Sequence, residues 1–423
     1  MATAAVYSSR RSILARERRY SLAGDGLEWC DDRRGGRVAY EDVVELCAYK
    51  VRLLDPFAGA LTRQHRCMVR LRNGSRFILV STSYAGFRQI EDRLAQFLPF
   101  VRELEHRVRQ RNPKLEITSG PHWSMRLNAV AGHAAVLLLR LLRRVDPDRL
   151  ADFCAALLRR IGPHLAYHRD GRLNLRAAFP EKPAAEIEHI LDRVWDNLGR
   201  VGAEFAHLDA LADFDADHAG RGRIIVPPAS AERLARLRDD GKPALLFGAH
   251  LANWELPALA AVRFGLEGAV VYQRPHLAAL GEEIFRIRKA TMGALIPAGA
   301  DAPLRIADAL KRGVHVGMLA DQHFTMGIDV EFFGRRCKAN PTLARLARRF
   351  DCPIHGTRAI RLPDHRFRLE LTEALSVPRD AEGKIDVAKT MQMVTTIIEG
   401  WVREHPEQWL WLHRRWRREH GFV

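Results

Sequence analysis

Between residues 244 and 372, short apolar runs alternate with stretches of helical periodicity. The runs are residues 244–247, 269–272, 314–320, 354–360 and 367–372, and helical patterns open between them near Leu256, Leu277, Pro303 and Thr342. Such runs suit strands covered on both faces and are too short to form independent helices. Strands alternating with helices predict an α/β fold here, with a mixed sheet flanked by helices.

Upstream the pattern changes, and residues 20 to about 80 read as β. Gly24-Asp25-Gly26 is a turn signal between apolar residues, and Asn73-Gly74 separates two further apolar runs. Asn-Gly is a strong hairpin signal because both residues tolerate the left-handed backbone of a tight turn. Ile90, Leu94, Phe97, Leu98, Val101 and Val108 then recur at helical spacing, and the helix is expected to stop before Pro113. Hairpins closed by one helix resemble a pleckstrin-homology-like domain. The expected organisation is therefore a small β-rich domain with a C-terminal helix over residues 1–112 and an α/β domain over residues 113–423.

The 423 residues, 47% of them hydrophobic, are enough for two domains with substantial cores. The net charge of +16 calls for an acidic partner: nucleic acid, an anionic membrane surface or an acidic carrier. No nucleic-acid-binding motif accompanies the charge, so a nucleic-acid partner is not expected. The six cysteines are scattered without a CxxC pair, which fits a reducing compartment and offers no zinc framework. The N-terminus lacks the apolar core of a secretory signal. Residues 127–142 form the most apolar segment, interrupted by His133 and Arg140 and flanked by Arg126, Arg143 and Arg144. This composition suits either a helix lying in the membrane interface or a buried helix, and fails the length requirement for a crossing.

Gly248-Ala249-His250-Leu251-Ala252-Asn253-Trp254-Glu255 lies where the first of the apolar runs gives way to a helix. Five positions on a continuous helix rotate by about 140°, which would put His250 and Glu255 on different faces. They meet only if His250 lies on a loop and Glu255 in the first helical turn, with Gly248 allowing the bend and Asn253 as a possible N-cap. A carboxylate bonded to one imidazole nitrogen fixes the tautomer and readies the other nitrogen to take a proton. A metal site from His250, Glu255 and His323 lacks the His-Glu-x-x-His spacing, so no metal is expected. A capping glutamate beside a strand-end histidine would leave the same trace, and the flanking residues are needed to choose.

Those residues resemble the His-x4-Asp/Glu motif of the late lipid A acyltransferases, members of the wider lysophospholipid acyltransferase group. Further blocks follow in the family's order: Asn174-Leu175 with Ala178-Phe179-Pro180, Tyr272-Gln273-Arg274-Pro275, Arg288, Ala320-Asp321-Gln322, Phe332-Phe333-Gly334, and residues 406–415 with Trp409, Trp411, His413 and Arg414. The stretch Cys337-Lys338-Ala339-Asn340-Pro341-Thr342 departs from the small, Thr-rich sequence usual there. The resemblance implies a membrane-associated O-acyltransferase with His250 as base and Glu255 orienting it. Substrate contacts would come from Asn253, Arg288, Arg274, Asp321, Gln322, His413 and Arg414, with Arg288 the first choice for gripping phosphate and Asp321-Gln322 in support. Trp409 and Trp411 are expected in the core. Acyl carrier protein or coenzyme A would bring the acyl thioester as cosubstrate, with no resident cofactor. A glycolipid such as a lipid A precursor, or a lysolipid, would accept the acyl group at the cytoplasmic face of a bacterial inner membrane, the protein being peripheral or interfacial. The contrasting class is a decayed, lipid-binding scaffold.

Overall fold

The computed structural model describes the chain apart from residues 1–5, 11–15, 55–60, 87–88, 120–122, 212–221, 274–277, 300 and 417–423. It divides into two compact units, Met1–Gly132 and His133–Val423.

In the first unit, β1 (Val6–Ser9), β2 (Arg18–Leu22), β3 (Gly26–Cys30) and β4 (Gly35–Ala39) form an antiparallel meander. A second sheet holds β5 (Val43–Leu54), β6 (Leu61–Leu71) and β7 (Arg76–Val80), followed by the hairpin β8 (Thr82–Gly86) and β9 (Gln89–Asp92). Helix α1 (Leu94–Arg111) buries Phe97, Phe100, Leu104 and Val108 against Tyr7, Tyr20, Leu46 and Val69, the three- and four-residue spacing its sequence showed. β10 (Glu116–Ser119) then adds in parallel to β5. That added strand carries the first unit past residue 112.

The second unit takes in the C-terminal part of α2 (Trp123–Leu142), then α3 (Pro147–Ile161), α4 (Ala166–Ala178), α5 (Ala184–Phe205) and α6 (Leu208–Leu211). The α/β part follows as β11 (Ile224–Ile225), α7 (Pro228–Asp239), β12 (Leu245–Gly248), α8 (Leu256–Arg263), β13 (Gly268–Tyr272), α9 (Ala278–Thr291), β14 (Ala294–Pro297), α10 (Ala302–Lys311) and β15 (His315–Leu319). A two-stranded hairpin, β16 (Ile328–Phe332) and β17 (Arg335–Ala339), precedes α11 (Thr342–Phe350), β18 (Ile354–Arg361), β19 (Phe367–Leu371) and α12 (Val387–Glu404). The five runs read from sequence are β12, β13, β15, β18 and β19, within a residue or two at their ends.

The main sheet runs β11-β19-β18-β12-β15-β13-β14, parallel except where β19 pairs antiparallel with β18. Period-two alternation divides its side chains between two layers. Leu245, Phe247, Ala269 and Val316 face α10, α11 and α12, while Leu246 and Val270 face α8. β12 and β15 are neighbours in register, Gly248 opposite Leu319, so the residues just past their carboxyl ends are brought together. Open α/β sheets place their sites at that edge. Among the described residues, no helix is long and apolar enough to cross a membrane.

Candidate active site

The turn after β12 is strained. Ala252 has φ of 48°, a left-handed conformation that costs a residue with a Cβ about 1–3 kcal/mol. Three backbone contacts from distant segments hold it. Ala252 N–H donates to Gln408 O at 2.9 Å, Leu410 N–H donates to His250 O at 3.1 Å, and Asn197 Nδ2 donates to Ala252 O at 3.3 Å. Beneath the turn is a buried polar network. Asn253, fully buried, donates from Nδ2 to Glu204 Oε2 at 2.9 Å and accepts the Glu255 N–H at 3.1 Å. Glu204 also takes the guanidinium fork of Arg361, whose Nε donates to Asn197 Oδ1 at 2.8 Å. Gln408 closes the net by bonding both the N–H and the carbonyl of Arg361. Each buried donor thus finds an acceptor, the condition for such a net to rigidify the fold. Both polar atoms of Asn253 are thus engaged in holding the turn.

His250 stands two residues beyond β12 and Asp321 two beyond β15. Asp321 Oδ1 accepts His250 Nδ1–H at 2.8 Å, and Oδ2 accepts both the His250 backbone N–H and Trp409 Nε1–H, each at 2.8 Å. Burial by itself would raise the Asp321 pKa. The facing His250 and the three N–H bonds outweigh it and hold the carboxyl at about 2, so it stays ionised. With Nδ1 carrying the proton, His250 Nε2 presents a lone pair. Gln322 Nε2 lies 3.3 Å from it, a long bond that a substrate hydroxyl can replace. Trp254 closes the other side, its ring edge-on to the imidazole at 5.1 Å.

The expected His250–Glu255 pair is not the one that forms. Glu255 gives both carboxylate oxygens to Arg288, Nε to Oε2 at 2.9 Å and Nη2 to Oε1. The physical reason lies in the sheet: Asp321 reaches His250 from the adjacent strand, while Glu255, at the start of α8, reaches α9. Arg288 is further held over the rings of Phe205 and Tyr272, at 5.3 and 5.8 Å. Because its fork is spent on Glu255, Arg288 enters the site as half of an ion pair, which leaves less of it for a phosphate than the sequence suggested.

From His250, Glu255 and Arg288 a cavity of about 220 Å³ runs between α8 and the sheet. Its walls are apolar, with Leu246, Val270, Ala258, Ala261, Val262 and Met292 among them. Gly248, Gly268 and Gly317 lie on the sheet side, where side chains would otherwise fill the space. A Cβ at Gly317 would meet no heavy atom within 4 Å. The lining of β15 extends from Leu319 beside the dyad down to His315, four strand steps or roughly 13 Å.

Residues 121–418 match the model of the bacterial lipid A biosynthesis acyltransferases. The chain belongs to that family. Its chemistry is acyl transfer, and its members work in association with membranes. No curated protein matches the chain as a close relative.

Within this acyltransferase, the remaining sequence candidates divide clearly. Gln322 lies beside His250 and Arg288 lines the cavity, whereas His413 and Arg414 do not line it. Arg414 pairs with Asp170 of α4 at 2.9 Å, and the His413 carbonyl accepts from Asn174. Arg274 lies outside the described residues. Among those described, no group of three His, Cys, Asp or Glu side chains is arranged to hold a metal. Trp409 and Trp411 are buried in the core as expected, and Trp409 has the added task of donating to Asp321. That task was invisible in sequence, as were the roles of Glu204, Asn197 and Arg361. One signal was present: Asp321 and His250 each follow closely on an apolar run.

Proposed function

We propose that the protein moves a fatty acyl group from a thioester, on acyl carrier protein or coenzyme A, to a hydroxyl of a glycolipid such as a lipid A precursor or of a lysolipid. One observation carries this reading: the free nitrogen of an Asp321-bound histidine opens onto an apolar, glycine-floored slot. His250 Nε2 takes the proton of the acceptor hydroxyl, and the oxygen attacks the thioester carbonyl. The tetrahedral intermediate expels the thiolate, which recovers the proton from His250 as a thiol. No acyl-enzyme is needed. Asp321 fixes the tautomer and balances the transient imidazolium, a positioning role. Arg288, anchored by Glu255, provides positive charge in the wall beside the reacting carbonyl. The acyl chain lies in the slot under α8. The contrasting class, a decayed scaffold, is disfavoured because the dyad and the slot are both intact.

The two antiparallel meanders of the first unit and the helix packed on them support a pleckstrin-homology-like adaptor. The excess positive charge supports a peripheral position on an anionic membrane, at the cytoplasmic face where acyl thioesters are made. The test is purified protein with acyl-carrier-protein and coenzyme A thioesters and a panel of lipid hydroxyl acceptors. His250→Ala is expected to abolish transfer while leaving the circular dichroism spectrum unchanged; transfer at the unaltered rate would overturn the assignment.

A further inference from the structure

Helix α3 carries an outer face that the acyl-transfer site does not use. Its inner face, Leu150, Ala151 and Ala155, packs on α5, and the two backbones touch at Gly199, where a Cβ would collide with Cys154 O and Ala155 Cα. Asp146 caps its first turn through Asp148 N–H and Arg149 N–H. The flanks are pinned by ion pairs: Asp152 with Arg200 at 2.6 Å, Arg159 with Asp192 at 2.8 Å, and Asp148 with Arg223. The helix is thus fixed to the core, and whatever it shows to the outside is shown rigidly.

What it shows is Arg149, Phe153, Leu157 and Ile161, a row at four-residue spacing, with Arg160 beside it. Phe153 is 63% exposed, Leu157 42% and Ile161 41%, and the row continues past the helix into Leu165 and Tyr167 at 43% and 63%. No Asp or Glu lies on this face, and among the described residues the Arg149 and Arg160 side chains have no acidic partner. By contrast, two arginines at the end of α2, the segment that sequence left open between an interfacial and a buried helix, are paired with acids: Arg140 with Glu283 and Arg143 with Asp209. An exposed aromatic and aliphatic row edged by uncommitted guanidinium groups complements one surface in particular. Acyl chains receive the row while phosphate headgroups meet the arginines.

We infer that the outer face of α3, continued through Leu165 and Tyr167, seats the protein on an anionic lipid surface. The proposal stands apart from the acyl-transfer reading, because it needs lipid binding and no turnover.

The experiment is sedimentation of the full chain with vesicles of phosphatidylcholine alone or mixed with phosphatidylglycerol. The wild type is expected to prefer the anionic vesicles, an advantage that fades with added salt. Arg149→Gln with Arg160→Gln is expected to lose about 30-fold in affinity, because each arginine near an anionic surface contributes a factor of roughly 5. Phe153→Ser with Leu157→Ser removes the centre of the exposed row and is expected to lose about tenfold or more in affinity, with the circular dichroism spectrum checking that α3 persists. Leu137→Ser with Leu138→Ser, at comparably exposed leucines of α2, serves as the comparison and is expected to lose less than either α3 variant. Acyl transfer to detergent-dispersed acceptor should survive in both α3 variants while transfer to vesicle-embedded acceptor falls. Wild-type binding by the α3 variants, or loss confined to the α2 variant, overturns the inference. So does a dimer in sedimentation equilibrium that Phe153→Ser with Leu157→Ser converts to monomer, since a second copy would then cover the face.

Discussion

Replacing Asp321 by asparagine tests the site through a single proton. Oδ2 accepts two N–H groups, from the His250 backbone and Trp409, and neither donor can reverse its role. The one oxygen of an asparagine must therefore take the Oδ2 position, which turns its NH₂ toward His250 Nδ1. Two donors facing each other forfeit a buried hydrogen bond, about 1–3 kcal/mol, and the imidazole relieves this by moving its proton to Nε2. The atom that should accept the substrate proton then already carries one. The same swap in a serine-protease triad lowers kcat about 10⁴-fold, and a loss of about 10³–10⁴ is expected here. Structure should survive, because the asparagine keeps both bonds at the Oδ2 position. Steady-state kinetics between pH 6 and 9 would measure the loss, and ¹⁵N spectra of the histidines would show the tautomer directly. Turnover within tenfold of wild type, or a His250 still protonated on Nδ1 in the variant, would refute the reasoning.

Four further outcomes are expected. Arg288→Lys cannot keep the two-pronged bond to Glu255 and should lower kcat/KM about 10–100-fold with a small change in Tm. Gly317→Val should fold at least as well as wild type, since the strand gains a β-branched residue facing open space. It should shift the preferred donor toward shorter chains, each methylene denied burial costing about 0.8 kcal/mol or roughly fourfold in kcat/KM. Arg361→Met strands the carboxylate of Glu204 and should cost about 3–5 kcal/mol in chemical denaturation. Adding Glu204→Met should restore much of that stability but cost activity, because Asn253 then loses its acceptor. Finally, Asp321 has a depressed pKa, so its stabilisation is complete above about pH 4 and is lost as pH falls toward 2, a contribution on the order of 2 kcal/mol by linkage. Acid unfolding of Asp321→Asn should lack that component.

The strands that build the sheet were legible because each is a short apolar run between turn signals, and the His250 turn because Gly248 and the helical pattern at Leu256 bracket it. The partner of His250 was harder to find. Sequence order does not say which strands lie side by side, and only the pairing of β12 with β15 shows that Asp321 and not Glu255 reaches the imidazole. The adjacency of His250 and Glu255 in the chain was misleading because helix α8 points Glu255 toward α9. β14 and the β16–β17 hairpin left weaker traces: one is four residues long, and the other carries alternating charges on an exposed face. The buried net of Glu204, Arg361, Asn197 and Gln408 draws on three segments far apart in the chain, and its members read singly as surface residues.

The strained turn at Ala252 has a consequence for how an active molecule comes into being. Its backbone partner, Gln408, and the Trp409 that steadies Asp321 lie near the far end of the matching region. During synthesis the histidine emerges long before either of them. A nascent chain stopped short of Gln408 holds the base, the slot-forming strands and the ion pair, yet keeps only the Asn197 bond on the left-handed residue and lacks the carboxylate's third bond. Long-range closure of this kind is slow and comes late. The enzyme is thus silent until nearly all of this domain has been made, and a prematurely terminated product cannot spend thioester on stray hydroxyls.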